Sequence, residues 1–413
     1  MNCKQRSLFW KFCTILACCF TVHGGIAQRL EPGNQLLWQI TGKGIKKPSY
    51  LFGSFHSNDN RLFKFSDSTY SALFHADAVV LEADIYSLFT QYDTRLESMN
   101  LEFDGFGNPY TSDKKASLTK YGSEDGRPQF LDAYFQQIAY NAGKKFFPLE
   151  TVEDQLQAYE NITYNNFRDY SINTLAMSQE NILQTYLQGD IENMRQMLKS
   201  QLAMSMNAYN LLITNRNIIM ANGIDTLCRK QGLFIAVGAA HLAGTEGIIQ
   251  LLKSKGYTVR QVSATFADKP SASEIELRKY NSYSYENPTR RFKAVFGGMP
   301  KIETAAGKMK LVYQEMGQGN TFLIEVADDS SEVELSSRVN DIFNIPSKSS
   351  VKEIRLANGT MAYEGITFIY GAGDCWRRVF IYKGQLFKIT CYGGNKFMNS
   401  DRPKKFFDRI TLE

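Results

Sequence analysis

The sequence predicts an α/β fold with a mainly parallel sheet core, a long helical insertion and a small C-terminal α+β domain. Three observations support this prediction. Apolar strand-like runs alternate with helical stretches early in the chain, as in parallel sheets that are covered on both faces. Residues 151–227 then contain scarcely any glycine or proline and are rich in Gln, Asn, Leu and Met, which favours helices. After residue 291, short β-like runs separated by turn residues dominate.

The predicted core elements alternate in the order that is typical of an α/β layer. In chain order they are strand Leu36–Thr41, strand Tyr50–Phe55, helix Ser66–Ala76, strand Ala78–Asp84, helix Gln129–Ala142, strand Lys145–Leu149, strand Phe234–Gly238, helix Thr245–Ser254 and strand Tyr257–Val262. Gly256 follows the last helix as a stop signal.

Composition divides the chain into several parts. The predicted parts are a signal peptide over 1–27, an α/β domain over 28–263 that contains the helical insertion 151–227, a linker over 264–291, and a small α+β domain of unassigned role over 292–413. The linker is predicted because its residues are rich in Ser, Asn, Tyr and charge, and they show neither helical nor strand periodicity.

The first 27 residues have the pattern of a secretory leader. A basic start precedes the apolar stretch Phe12–Val22 and the small residues Gly25–Ala27. We therefore expect export to the periplasm or the cell exterior. A minor alternative is a lipoprotein anchored at Cys18, because the residues before it resemble a lipoprotein cleavage site. No later stretch has the roughly 18 apolar residues of a transmembrane helix, so none is expected in the mature chain.

Charge and cysteine content argue against two classes of protein. The formal net charge of +5 falls to about +2 once the three basic residues of the leader are removed, so no nucleic-acid partner is expected. Three cysteines remain after the leader. In an exported protein Cys375 could pair with Cys391 and leave Cys228 free. One such bridge does not make a disulfide-built fold.

Two Gly-x-x-His stretches, Gly53–His56 and Gly238–His241, each end an apolar strand-like run. Ligands gather at the carboxyl ends of parallel strands, so His56 and His241 are expected to lie at one edge of the sheet. Because glycine has no Cβ, Gly53 and Gly238 would let the backbone turn or let a neighbouring group approach closely.

Two carboxylates, Glu82 and Asp84, end the predicted strand that lies between the motifs in the chain. Period-two alternation places them on one face, and a carboxylate at the end of an apolar strand is costly unless it is paired, protonated or bound to a metal. Two imidazoles with such carboxylates suit a divalent Zn, Mn, Co or Fe ion, and Mn, Co or Zn is expected here. Glu82 would then be a ligand or the base that takes a proton from water. Alternatively, each histidine is a hydrogen-bonded structural residue.

Arg216 falls inside an apolar helical stripe and is expected to face inward. The stripe consists of Tyr209, Leu212, Ile213, Ile219 and Met220. A buried guanidinium needs an acceptor, so Arg216 would pair with Glu82, Asp84 or Glu150, or would bind a substrate carbonyl or carboxylate. A purely structural ion pair is the alternative. Glu150 directly precedes a helix start, where it could also simply stabilise the helix dipole.

Several of these stretches together resemble the TraB/PrgY/GumN family, over roughly residues 36–262. They are Tyr50–His56, Val79–Asp84, Leu149–Gln155, Asn215–Asn217, Val237–Leu242, Gly244 and Lys255–Val259. The family is characterised by two Gly-x-x-His motifs and a glutamate, which correspond to His56, His241 and Glu82. Its Arg-Asn pair corresponds to Arg216 and Asn217.

The resemblance implies a metal-dependent hydrolase of the TIKI type, a peptidase, with a fold similar to erythromycin esterases and the haem-binding ChaN proteins. His56, His241 and Glu82 would hold the divalent metal, and Glu82 and Arg216 would act in catalysis on a peptide or protein substrate. Supporting roles would fall to Gly53, Gly238, Asp84, Glu150 and Asn217. The alternative is a non-enzymatic peptide- or haem-binding regulator of the PrgY pheromone-shutdown type, whose C-terminal domain binds a partner.

Overall fold

The computed structural model describes residues 35–57, 59–85, 130–151, 153–154, 179–202, 206–316, 320–344, 351–369, 373–393 and 395–413. The chain forms two compact units that divide between Leu277 and Arg278. The predicted leader, Cys18 within it, and part of the helical insertion lie outside the described residues. Within the described ranges, no helix is both long and apolar enough to cross a membrane.

The first unit contains a six-stranded sheet with strand order β4-β3-β5-β2-β1-β6. Its elements are β1 (Leu37–Gly42), β2 (Ser49–Ser54), α1 (Asp67–His75), β3 (Ala78–Leu81), α2 (Leu131–Asn141), β4 (Lys145–Pro148), α3 (Gln179–Leu187), α4 (Ile191–Gln201), α5 (Met206–Tyr209), α6 (Asn215–Cys228), β5 (Leu233–Gly238), α7 (Ile248–Ser254) and β6 (Tyr257–Gln261). The described part of the helical insertion is helical throughout most of its length, as predicted.

The sheet is mixed in direction. The neighbouring strands β4, β3, β5 and β2 are parallel, whereas β1 runs antiparallel to both β2 and β6. Only a short turn joins β1 to β2, and a parallel pair needs a crossover of about a dozen residues or more, so this pair is antiparallel. The α/β class is confirmed, with a parallel centre and an antiparallel edge.

The core of this unit lies around the central strands. All four residues of β3 are buried, and so are the first five residues of β5, as expected for strands covered on both faces. Phe135 of α2 packs against Phe52 and Phe234, with ring centroids 5.5 and 5.0 Å apart. Burial of each such ring contributes roughly 1.5–3 kcal/mol, so the strands that end at the candidate site are firmly packed.

Strand β3 is shorter than predicted, because it ends at Leu81. Glu82 and Asp84 therefore lie beyond the strand, so the period-two alternation that would place them on one face does not apply to them. Asp84 accepts a hydrogen bond from Gln136 Nε2 at 2.6 Å, and Gln136 Oε1 accepts one from the Ile85 N–H at 2.9 Å. These contacts draw the chain toward α2 and take Asp84 away from the strand direction.

The segment 264–291, predicted as a linker, forms helix α8 (Ala272–Lys279) and strand β7 (Tyr283–Asn287) instead. Helix α8 buries Leu277 in the core of the first unit. A single buried position in a short charged helix leaves no periodic pattern, which is why the sequence did not indicate this element.

The second unit is built from antiparallel sheets. Its elements are β7, β8 (Phe292–Phe296), β9 (Lys301–Ala305), β10 (Lys308–Gln314), β11 (Thr321–Asp328), α9 (Leu335–Phe343), β12 (Val351–Arg355), β13 (Met361–Ile369), β14 (Gly373–Tyr382), β15 (Gln385–Tyr392), α10 (Asn395–Met398), α11 (Arg402–Phe407) and β16 (Ile410–Leu412). A seven-stranded sheet has the order β12-β13-β14-β15-β11-β10-β9, and a three-stranded sheet has the order β16-β8-β7.

The disulfide considered between Cys375 and Cys391 is absent, because both thiols are free and buried. Cys391 of β15 pairs in register with Trp376 of β14. Neighbouring residues of a strand point to opposite faces, so Cys375 lies on the face away from Cys391. A disulfide cannot join side chains that point apart in this way.

Candidate functional site

Three neighbouring parallel strands present the candidate residues at one edge of the sheet. Strand β5 lies between β2 and β3, with Gly238 paired to Ser54 and Ala236 paired to Leu81. The two Gly-x-x-His motifs therefore leave adjacent strands offset by one residue. Glu82 directly follows β3 on the other side of β5.

The carboxylate of Glu82 is held at both oxygens. Its Oε1 accepts the Gly238 N–H at 2.5 Å, and its Oε2 accepts Arg216 Nη2 at 2.7 Å. Burial alone would raise the pKa of Glu82, but attraction to His241, Arg216 and His56 and the Gly238 N–H more than offset burial and hold the pKa well below its usual range. Glu82 is therefore an anion at neutral pH.

The two motif glycines serve different purposes. A Cβ on Gly238 would lie 3.2 Å from Glu82 Oε1, 3.4 Å from His241 Cδ2 and 3.8 Å from His56 Nε2, so the missing side chain leaves a cradle between these groups. A Cβ on Gly53 would instead lie 3.1 Å from the Cβ of Ala239. Gly53 thus allows the turn that carries His241 to pack closely on β2.

His56 is oriented by a buried carboxylate. Its Nδ1 lies 2.7 Å from Asp132 Oδ2, and Asp132 Oδ1 accepts the Ser54 hydroxyl at 2.7 Å. Because a carboxylate oxygen can only accept, Nδ1 is the donor. Desolvation lowers the pKa of His56, but the charge and hydrogen bond of Asp132 outweigh it and raise the pKa to about 9. The side chain is 48% exposed, so the ring also reaches solvent.

His241 is oriented by a neutral amide instead. Its Nδ1 lies 2.7 Å from Asn217 Oδ1, and Asn217 Nδ2 donates to the Glu246 carbonyl at 2.7 Å. That second bond leaves the amide oxygen as the acceptor, so Nδ1 of His241 carries the proton. Burial lowers the pKa of His241 to about 4 despite attraction to Glu82. A neutral ring of this tautomer presents a lone pair on Nε2, 3.9 Å from Glu82 Oε1.

Arg216 joins two buried carboxylates. Its Nε donates to Glu150 Oε2 at 2.9 Å, and its Nη2 donates to both Glu150 Oε2 and Glu82 Oε2 at 2.7 Å. Glu150 is brought there because the residues that follow β4 run beside those that follow β3, with the Glu150 N–H donating to the Glu82 carbonyl at 2.8 Å. Of the three predicted partners, Glu82 and Glu150 pair with Arg216, whereas Asp84 contacts Gln136.

Helix α6 supplies Arg216 and Asn217 from its first turn. A π-helical turn, Asn210–Thr214, precedes it, and the Leu212 carbonyl in this turn lies 3.4 Å from Arg216 Nη1. Wide turns of this kind are common at functional sites. The buried face runs through Asn217, so Ile219, predicted on the inward stripe, is exposed.

Sequence reasoning missed three residues that support the site. Asp132 and Ser54 hold the ring of His56, and the buried hydroxyl of Tyr186 in α3 donates to the Gly53 carbonyl at 2.8 Å. An acidic residue in the first turn of a helix normally indicates stabilisation of the helix dipole, so the position of Asp132 in the sequence does not indicate a role at the site. The one available signal was its position inside an otherwise apolar helix start.

The imidazole nitrogens and carboxylate oxygens of the site are the types of ligand that bind divalent cations. No group of three His, Cys, Asp or Glu side chains within the described ranges forms a ready-made metal centre. However, the Nε2 atoms of His56 and His241 have no hydrogen bond from any described residue. The carboxylates of Glu82, Glu150 and Asp132 outnumber the guanidinium and the one charged ring nearby. A cation in the cradle above Gly238 would balance this excess of negative charge.

The chain is similar to one protein family and, over part of its length, to a solved structure. No curated protein matches the chain significantly. A solved structure of cyanobacterial PsbP (CyanoP) from Synechocystis sp. PCC 6803 is similar to part of it, with 10% identity, coverage of 32% of this chain and 92% of that chain, and a TM-score of 0.24. The model of the TraB/PrgY/gumN family matches residues 36–113 and 87–261. Since the matched residues span more than half of the chain and include both Gly-x-x-His motifs, the chain belongs to the TraB/PrgY/gumN family.

Proposed function

We propose that this chain is an exported metal-dependent hydrolase that cleaves peptide bonds, with a Mn, Co or Zn ion held by His56, His241 and Glu82. The observation that carries the proposal is the convergence of two imidazole Nε2 atoms and one carboxylate oxygen above Gly238. Each ring is held at Nδ1 by a second group, as is usual for histidine ligands of metals. A bound divalent cation would polarise a substrate carbonyl and lower the pKa of a water beside it.

The chain's own groups would have distinct tasks. Glu82 keeps its Oε1 toward the cradle because Arg216 holds its Oε2. Among the described residues, Nη1 of Arg216 has only the long contact to the Leu212 carbonyl, at 3.4 Å, and it would orient a substrate carbonyl or carboxylate. Glu150 holds the same guanidinium and fixes its direction. The choice of peptide as substrate rests on the similarity of the motif set to the TIKI proteases.

The first test is metal content and peptide cleavage on the chain from Gln28 onward, after dialysis against Mn, Co or Zn. We expect about one metal per chain and cleavage of a peptide library by the wild type. His56→Ala and His241→Ala should lose both properties. His75→Ala is the matched control, because His75 ends α1 and bonds to the Ser71 carbonyl. A wild type that neither binds metal nor cuts peptides, while all variants melt alike, would overturn the proposal.

The second candidate is a non-enzymatic peptide- or haem-binding protein. It is favoured by the ion pairs of Arg216, which leave little of the guanidinium for a substrate. Incubation with haem distinguishes the two. A strong absorbance band near roughly 400 nm that is lost in His56→Ala, without any peptide cleavage, would support the binding protein.

Export is a separate part of the proposal and is supported by the leader pattern of residues 1–27. Mass spectrometry of the N-terminus in fractionated cells tests it. A chain that begins at Gln28 outside the cytoplasm is the expected result. A lipid-modified chain that begins at Cys18, and is lost in Cys18→Ser, would favour the anchored form, whereas an uncleaved cytoplasmic chain would contradict export.

A further inference from the structure

We infer that Asp132 is a positioning residue of this site, which holds the Nδ1 proton of His56 toward α2 and thereby presents Nε2 toward Glu82. The inference about the ring stands on hydrogen bonds alone. Its consequence for cation binding rests on the proposed function.

Both oxygens of Asp132 are engaged inside the protein. The side chain is 3% exposed; Oδ2 meets His56 Nδ1 and Oδ1 meets the Ser54 hydroxyl, each at 2.7 Å. A buried carboxylate is costly unless hydrogen-bond donors satisfy it. Here the two donors are close in the chain, because Ser54 ends β2 and His56 lies in the loop that follows. Asp132 therefore acts on the cradle through His56 rather than by reaching it.

The backbone ties α2 to the same segment. The Leu131 N–H at the start of α2 donates to the Ser57 carbonyl at 3.0 Å. Contacts to Ser54, His56 and Ser57 therefore fix the start of α2 against the chain on both sides of the ring. Leu131 and Ala133 flank Asp132 in the chain and are fully buried, which leaves the carboxylate little freedom to turn away.

The two rings are held in equivalent ways by groups of different charge. Asn217 holds His241 with a neutral amide oxygen, whereas Asp132 holds His56 with a carboxylate. A carboxylate behind a histidine increases the electron density on the opposite nitrogen and fixes its direction. Once a metal displaces the Nε2 proton of His56, this nitrogen would be the stronger donor of the two, and Asp132 would be the group that makes it so.

The first experiment observes the ring without metal. The protein is labelled with ¹⁵N in histidine and kept in chelator, and NMR detects the hydrogen-bonded Nδ1 proton of His56. We expect an exchange-protected signal in the wild type, a shifted signal in Asp132→Asn and loss of the signal in Asp132→Ala. Asp190→Asn is the control, because Asp190 caps α4 and Asn caps equally well. An unchanged His56 signal in Asp132→Ala overturns the inference.

The second experiment measures Zn²⁺ affinity by competition with a chelator. Loss of such a supporting group typically costs ~10-fold to ~100-fold in affinity, so we expect Asp132→Ala to be weakest, Asp132→Asn and Ser54→Ala intermediate, and Asp190→Asn equal to the wild type. Ser54→Ala keeps the test decisive if Asp132→Ala does not fold.

Failure of the inference and failure of the proposed function give different results. If Zn²⁺ affinity falls among the variants in the expected order but the wild type cleaves no peptide, the proposed hydrolase activity is contradicted and the role of Asp132 is supported. If all variants bind Zn²⁺ with equal affinity and peptide cleavage is intact, the role of Asp132 is contradicted and the proposed hydrolase activity is supported. If the wild type binds no Zn²⁺, the NMR signal of His56 alone decides the inference.

Discussion

Gly53 and Gly238 occupy the same place in a repeated motif, yet the space around them differs. A Cβ at Gly238 would face polar atoms of Glu82 and His56, whereas a Cβ at Gly53 would face Ala239 and Leu242 in the apolar interior. Local sequence predicts that both need to be small. Only the neighbours tell which glycine shapes a site and which shapes packing.

Substitution by alanine should therefore impair cation binding at one glycine and stability at the other. We expect Gly238→Ala to abolish most cation binding with little change in stability, because the new methyl group fills the cradle. Gly53→Ala should lower the free energy of unfolding by about 1–3 kcal/mol through overpacking and should affect binding less. Urea unfolding and Zn²⁺ titration of both variants check this. The reverse ranking would show that the cradle is not where the cation binds.

Arg216 is the most heavily engaged cation of the site. Removing it in Arg216→Met leaves Glu82 and Glu150 buried without their common partner. We expect a loss of roughly 3–5 kcal/mol in the free energy of unfolding, measured with urea at neutral pH.

Two comparisons sharpen the Arg216 prediction. Arg229→Met is the control, because Arg229 pairs with Asp225 at the surface and its loss should be hardly measurable. Adding Glu150→Gln to Arg216→Met should recover part of the loss. Equal destabilisation by Arg216→Met and Arg229→Met would contradict the view that the Arg216 pairs are buried and coupled.

Secondary structure elements were predictable where apolar periodicity was strong. Strand β5 and helix α7 appear close to their predicted positions, because each is a buried run of normal length. The end of β3 was not predictable from the sequence, because Glu82 directly follows the apolar residues of the strand. In the structure its side chain instead accepts a hydrogen bond from Gly238. Helix α8 was missed because only one of its residues is fully buried.

Helix α8 offers a test of the boundary between the units. Leu277→Ala should lower the free energy of unfolding of the first unit by about 2–5 kcal/mol, because it leaves a cavity in a packed core. Ile275→Ala on the same helix is the control, because Ile275 is 47% exposed. Thermal unfolding of the full chain distinguishes them. If both variants melt like the wild type, the segment behaves as the linker that the composition indicated.

Over the whole molecule, the two site histidines should shape stability against pH in opposite directions. His56 has its pKa raised from 6.5 to about 9 in the fold, so its contribution is complete below pH 6.5 and is lost as the pH rises toward 9. His241 has its pKa lowered from 6.5 to about 4, so stability falls as the pH falls through that interval, because the unfolded chain takes up a proton that the folded chain does not.

In chelator, the metal-free protein should therefore be most stable near roughly pH 6.5. We expect His56→Gln to flatten the alkaline limb and His241→Gln to flatten the acidic limb of the curve, with His75→Gln as the control for both. The alkaline limb should be the shallower one, because His56 is half exposed and solvent screens its charge. Urea unfolding at a series of pH values measures this. Limbs that persist in the matching variants would contradict the assignment.

Local sequence was sufficient to identify most residues of the candidate site. Both Gly-x-x-His motifs, Glu82 and the Arg216–Asn217 pair could be read from strand-like runs and a helical stripe, because periodicity and residue type are properties of short segments. The α/β class of the first unit followed from the same patterns.

Long-range pairing decided how those residues meet. Strand β5 enters the sheet between β2 and β3, and only this order places His241 between His56 and Glu82. Long-range packing also decided the hydrogen-bond partners. Arg216 pairs with Glu150, whereas Asp84 bonds to Gln136. His56 bonds to Asp132 of α2. Buried polar groups are satisfied by whichever partners the packed interior brings within reach, and that depends on contacts between segments far apart in the chain.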